Sequence, residues 1–175
     1  MKHHLATTAL TTTLILTACT PQPTPPNTTT ITNDFRQAVT QTVQATGLPD
    51  QQLTYNTGKP YDTDYFTHQP LTTAITPCGD TKEGGLKYSY SVVIKGDTRY
   101  PANQWQTQEN KVRQKWQEQG WEVKNVAPGF NKPGITIGTT TEHGVTILYS
   151  VAEGRIDYIQ VDSPCLAELA PTPTN

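Results

Sequence analysis

The chain has 175 residues, a formal charge of −2, 16% charged residues and 34% hydrophobic ones. Its lysines and arginines form no cluster able to track phosphates, which argues against a nucleic-acid partner, and the length left after the N-terminal region supports a single core. Threonine is the abundant residue, 32 of 175, a composition that suits strands and an extracellular surface better than long helices.

The first element is a targeting segment. Lys2, with His3 and His4, gives a basic start, and Leu5, Ala6, Ala9, Leu10, Leu14, Ile15 and Leu16 form an apolar stretch diluted by Thr. The stretch is too short and too polar to span about 30 Å of hydrocarbon, and it fits an export signal. Leu16-Thr17-Ala18-Cys19 follows directly and resembles the lipobox of bacterial lipoproteins. In that family the cysteine thiol takes a diacylglyceryl group, the signal is cut just before it, and the new N-terminus can be acylated again. The resemblance implies a signal peptide over residues 1–18, lipid attachment at Cys19, and a chain held on the extracytoplasmic face of the cell membrane. Two or three acyl chains hold far better than one, since each buried CH₂ contributes about 0.8 kcal/mol. The alternative is an ordinary signal peptide that happens to contain a cysteine.

Residues 19–32 carry Pro21, Pro23, Pro25, Pro26 and the run Thr28 to Thr30. Such a segment cannot bury enough apolar surface to offset its ordering entropy, so it is predicted to be a disordered Thr/Pro-rich tether. At about 3.1 Å per residue it would lift a domain roughly 40 Å from the membrane. Asn27-Thr28-Thr29 spells an N-glycosylation acceptor, although bacterial lipidation and general N-glycosylation rarely coincide. One globular domain is expected over residues 33–167, with a flexible tail at 168–175.

Within the domain, Phe35, Ala38, Val39, Thr42 and Val43 stand at helical spacing between Asn33 as N-cap and Gly47 as stop, predicting a helix over 33–46. From Leu48 to Gly85, prolines and glycines punctuate the chain, and mostly irregular structure is expected, with brief extended pieces at 52–56 and 71–76. Leu86, Tyr88, Tyr90, Val92 and Ile94 then alternate with mostly polar neighbours up to Gly96, the clearest half-buried strand. Trp105, Val112 and Trp116 mark one stripe of a second helix over 103–119, with Asn103 and Gln106 as a capping box and Gly120 as the stop. Four short strands are predicted at 121–126, 134–139, 145–151 and 155–161, the last three joined by hairpin-length loops. The sum is an α+β domain, an antiparallel sheet of about five strands with two helices packed on one face.

Three cysteines leave an odd one in an exported chain. If Cys19 is acylated, Cys78 and Cys165 remain as a pair in a compartment where disulfides persist. A bridge between them is expected, since Cys78 precedes the long strand and Cys165 follows the last one. Two buried thiols or a metal pair are the competing readings, and the latter would need further Cys or His nearby.

The chemistry-bearing candidates are few. There is no Gly-x-Ser-x-Gly, and Ser163 is followed by a proline rather than set on an elbow. His68 and His143 read as exposed loop histidines. Asp62-Thr63-Asp64, followed by Tyr65, Phe66 and His68, is the densest polar cluster, but it lacks the central Gly and late Glu of a calcium loop. Glu83-Gly84-Gly85 and Pro128-Gly129 lack the context of a phosphate loop and read as turns. Trp105, Trp116, Trp121, Tyr88 and Tyr90 are assigned to the core, while Tyr55, Tyr61, Tyr65 and Phe66 either join it or form a ligand-facing surface. No catalytic residue, metal site or cofactor is assigned, and the ligand-binding residues stay open.

Beyond the lipobox, the arrangement of stalk, helix, strand, Trp-containing helix, Gly-Trp strand, meander and closing Ser-Pro-Cys is similar to small actinobacterial lipoproteins, most nearly the mycobacterial LppA-like group. The likeness is carried by Cys78, the run from Trp116 to Val123, and Val161 to Cys165. It implies an envelope-exposed, membrane-anchored protein without assigned catalysis. The first reading is therefore a non-enzymatic binding or scaffold module contacting a lipid, glycan or protein, which predicts a pocket or apolar groove between helices and sheet or beside residues 55–66, without perturbed acids. An envelope-polymer hydrolase would require two carboxylates, or a His and a carboxylate, in a cleft. An accessory subunit of a membrane complex would require a large exposed apolar patch.

Overall fold

Ile31, Phe35, Ala38, Val39, Thr42, Val43 and Thr46 fall on one stripe of a 19-residue helix, α1 (Thr28–Thr46), and all are buried. The computed structural model describes residues 27–80, 85–126 and 133–169, so the signal segment and Cys19 lie outside the described residues. The cap of α1 is Asn27, whose side chain accepts the Thr30 N–H at 2.9 Å, and not Asn33. The helix therefore takes Thr28–Thr32, which the sequence reading placed in the tether. The physical reason is Ile31, one turn before Phe35 and fully buried, which extends the apolar stripe backwards. At the other end Gly47 adopts φ +66° and donates its N–H to the Gln44 carbonyl, the left-handed stop that glycine adopts without steric cost.

The segment expected to be mostly irregular holds β1 (Leu53–Tyr55), within the extended piece predicted at 52–56, then α2 (Thr63–His68) and β2 (Ile75–Asp80). Short 3₁₀ turns stand at Asp50–Gln52 and at Leu71–Ala74, the latter where the second extended piece was predicted. Asp62 caps α2 by accepting the Tyr65 N–H at 2.9 Å. Leu53, Tyr61, Phe66, Leu71 and Ala74 are buried, but they occur singly between turn residues and leave no periodic signal. β3 (Leu86–Gly96) matches its predicted span, and α3 (Gln104–Glu118) buries Val112 and Trp116. The predicted capping box at its start does not form: Asn103 sits at φ +72° with no side-chain cap bond.

The remaining strands are β4 (Lys124–Val126), β5 (Gly134–Thr140), β6 (Thr146–Ala152) and β7 (Tyr158–Asp162). β4 starts three residues later than predicted because the Trp121 N–H is taken by the Trp116 carbonyl. The Trp121 ring also lies against that of Trp116, so residues 121–123 serve the helix end. Leu169, expected in a flexible tail, is buried after a short 3₁₀ turn at Ala167–Leu169.

All strand pairs are antiparallel, in the order β1-β3-β7-β6-β5-β4, with β2 added on the first half of β3. The sheet thus has seven strands rather than five, the excess coming from β1 and β2. α1 and α3 pack on each other and on the sheet, α1 against β7 and α3 against β5 and β6. The core lies between, formed by Val92, Ile94, Ile137, Ile147, Tyr149, Val151, Ile159 and Val161 with the helix stripes. Their strand neighbours Ser91, Val93, Lys95, Leu148, Ser150, Tyr158, Gln160 and Asp162 are half-buried, as period-2 alternation requires of the second face.

Cys78 and Cys165 form a disulfide, with Cα atoms 5.9 Å apart and a sequence separation of 87. It ties β2 to the segment after β7, and both flank the start of β3: Tyr88 pairs with Pro77 of β2 and with Leu166. Cross-linking at that separation stabilises by roughly 4.6 kcal/mol in the chain-entropy account.

Candidate functional site

Asn33, Gln37 and Gln41 follow one another at four-residue spacing and so lie along one face of α1, the face turned away from the sheet. Two shallow depressions open over it. The larger, about 370 Å³, is lined by Asn33, Arg36, Gln37, Thr40, Gln41 and Thr67. The smaller, about 210 Å³, is lined by Thr30, Asn33, Asp34, Gln37, Glu142 and His143. They share Asn33 and Gln37, which makes them one shallow trough with α2 on one side and the β5–β6 turn on the other.

The charged groups of this trough are largely committed to the fold. The Arg36 guanidinium donates to the Phe66 and Gln69 carbonyls, closing the C-terminal end of α2. Asp34 accepts the Thr141 hydroxyl at 2.5 Å, which fixes the β5–β6 turn to α1. His143 Nε2 lies 3.4 Å from Glu142 Oε1. Glu142 is 84% exposed, so this pair works in water, where an ion pair contributes little.

A second cluster sits at the opposite end of the core. Asp157 is fully buried; its carboxylate accepts the Tyr100 hydroxyl at 2.7 Å and the Tyr149 hydroxyl, with the Gln108 amide at 3.5 Å. Burial pushes the Asp157 carboxyl up from its ordinary value, and the tyrosine and Gln108 hydrogen bonds offset this only in part. Burial also raises both partner tyrosines, and the neighbouring carboxylate adds to it. Neither described depression includes Asp157 or its partners. A carboxylate sealed between two hydroxyls is thereby placed to bind elements together: it joins the β6–β7 connection to β6, to α3 and to the chain just after β3.

The chemistry candidates from the sequence separate. Of Asp62-Thr63-Asp64, Asp62 is a cap, Asp64 is exposed beside His68 at 3.1 Å, and Thr63 is held by Asp50, which accepts its N–H at 2.7 Å and its hydroxyl at 2.9 Å. His68 lies in the last turn of α2 rather than in a loop. Among the described residues no group of three His, Cys, Asp or Glu is placed to hold a metal ion. Ser163 accepts the Tyr90 N–H at 2.8 Å and so closes the end of the ladder.

The undecided aromatic set divides by burial. Tyr61 and Phe66 are core, Tyr55 is half-buried, and Tyr65 is 57% exposed. Tyr55, Tyr61, Phe66, Phe35 and Tyr90 form a continuous run of rings with centroids 5.4 to 6.2 Å apart, so the set is mainly packing. Desolvation pushes the Tyr55 hydroxyl up to about 12. Trp116 is fully buried and Trp105, Trp121 and Tyr88 pack partly against the core. Gly84, Pro128 and Gly129 lie outside the described residues. Sequence reasoning missed Asp34, Glu142 and Asp157; only the acidic character of each was visible, without the neighbours that give it a role.

No helix among the described residues is long and apolar enough to cross a membrane. No protein-family model matches the chain, and no curated protein matches it. Among solved structures, a DUF4853 family protein from Actinomyces odontolyticus is similar to it with a TM-score of 0.48 at 16% identity, over 81% of this chain and 68% of that one.

Proposed function

We propose that the chain is a lipid-anchored envelope protein on the extracytoplasmic face of the cell membrane, whose domain is a non-enzymatic binding or scaffold module. The observation that carries this reading is the cysteine count. With Cys78 and Cys165 joined, the third cysteine is Cys19, set directly behind Leu16-Thr17-Ala18 and the apolar run. A disulfide also suits an exported protein.

The chemistry of the domain supports a binding role. Among the described residues, the one carboxylate raised by burial, Asp157, bonds to the tyrosines of its own core. The trough over α1 presents uncharged amides and hydroxyls from Asn33, Gln37 and Thr40, groups that suit a polar lipid headgroup, glycan or peptide chain. This trough is lined by polar side chains of α1 and by Thr67, whereas an apolar groove was expected between helices and sheet or beside residues 55–66. The hydrolase reading draws on Asp34, Glu142 and His143, which do share a depression, but Asp34 is bonded to Thr141 and the His143–Glu142 pair is solvated.

Mass spectrometry of the mature protein tests the anchor. A di- or triacylated Cys19 at the N-terminus is the expected result; an unmodified N-terminus beyond residue 19 would refute it. Asp34→Asn and His143→Ala variants decide between module and hydrolase: loss of any cell-wall-degrading activity in both would establish the hydrolase.

A further inference from the structure

α1 packs on β7, the neighbour of β3 in the sheet, and runs in the same direction as β3. Near their starts, Thr32 donates its hydroxyl to the Tyr90 hydroxyl at 3.1 Å, and the Phe35 and Tyr90 rings lie 5.4 Å apart. Near their ends, a Cβ on Gly96 would stand 2.9 Å from the Leu48 side chain, and the Asp97 N–H donates to the Gln52 carbonyl at 2.9 Å. The beginnings of α1 and β3 therefore share one pole of the domain. The β5–β6 turn is at that pole too, through Thr141 on Asp34.

From Tyr90 back to Leu86 is four strand residues, about 13 Å; from Thr32 back to Thr28 is four helical residues, about 6 Å. Leu86 thus projects past the start of α1, and it is 52% exposed, one of three large apolar side chains left open among the described residues.

The covalent chain bounds how far this pole can stand from a membrane. Because α1 begins at an Asn27 cap, eight Cα steps separate Cys19 from the domain, at most about 29 Å when fully extended. That is close to the length of α1 itself, about 28 Å.

We propose that this pole faces the bilayer and that Leu86 touches the lipid surface, leaving the opposite pole, with Gly47, Asp97 and Arg155, directed away from it. The proposal rests on the reading of Cys19 as acylated. Contact does not depend on anionic lipid, since the ladder sets the acidic Asp80, and no cation, directly opposite Leu86 and places Gly79 opposite Lys87.

The test is hydrogen exchange by mass spectrometry on the full acylated chain in phosphatidylcholine vesicles, compared with the Cys19→Ser chain free in solution. Exchange should slow in residues 85–90 and be unchanged in 97–103 and 153–157, and acylated Leu86→Ser should lose the slowing while staying bound. Equal exchange at both poles, or slowing at 97–103, overturns the orientation. The intact mass of the same sample separates the causes: a Cys19 without acyl groups overturns anchor and orientation together, whereas an acylated Cys19 without slowing at 85–90 overturns the orientation alone.

Discussion

Removing the Asp157 carboxylate should destabilise the domain in two separable ways. In Asp157→Ala the Tyr100 and Tyr149 hydroxyls, both bonded to that carboxylate and both buried, lose their acceptor. Each unsatisfied buried donor costs about 1–3 kcal/mol, so the variant should lose roughly 2–6 kcal/mol, a large part of the stability of a domain this size. Asp157→Asn keeps one carbonyl acceptor and removes the buried charge, so its loss should be smaller. The pH dependence carries the sign. Burial raises the carboxyl in the folded state, so its stabilising effect is fully present below the ordinary, unfolded-state pKa and is lost as pH rises through the folded one. Asp157 should therefore make the wild-type domain less stable from about pH 4 upward, opposite to an ion-paired carboxylate, and the Asn variant should lack this component. Urea unfolding followed by tryptophan fluorescence from pH 4 to 8 reads both effects, with the difference between wild type and Asn isolating the one group. Parallel profiles for the two proteins, or an Ala variant within about 0.5 kcal/mol of wild type, would refute the reasoning.

Replacing Cys78 and Cys165 together by Ser should cost roughly 4–5 kcal/mol, for the loop closed between them; a midpoint in urea unchanged from that of the oxidised protein would show that the bridge adds nothing. Phe35→Ala removes a fully buried ring that contacts both Phe66 and Tyr90, and should cost about 3–5 kcal/mol, read as a lowered thermal midpoint. In Gly47→Ala the side chain must adopt φ +66° and displace the Lys111 ammonium, whose Nζ would lie 2.1 Å from the new Cβ. A loss of about 1–2 kcal/mol is expected from the backbone alone, and a neutral result in chemical unfolding would show that the helix end relaxes.

Periodic elements were legible in the sequence because burial on one face imposes its own spacing. The alternation of Tyr90, Val92 and Ile94 and the stripe of Phe35, Val39 and Val43 each name their buried face, and each is buried as read. Short elements lacked that signature. β1, with three residues, was read only as a brief extended piece at 52–56, and α2, with six, was not read at all; they are held by β3, by Asp50 on Thr63 and by Arg36 on the Phe66 and Gln69 carbonyls, contacts distant in sequence.

The disulfide stands between these cases: its two cysteines were named from the chain, yet their approach depends on β2 and the segment after β7 both lying against the start of β3. What the sequence by itself determined is what local chemistry and covalent order fix: the α+β pattern, the two long helices, the central strand, and an apolar run ending at Cys19. What only the tertiary structure decided is which polar groups lose water and which meet. Asp157 and Glu142 are both simple acids in the sequence, one sealed between two tyrosines and the other left in solvent. That difference arises from chain segments brought together by packing, and no local pattern encodes it.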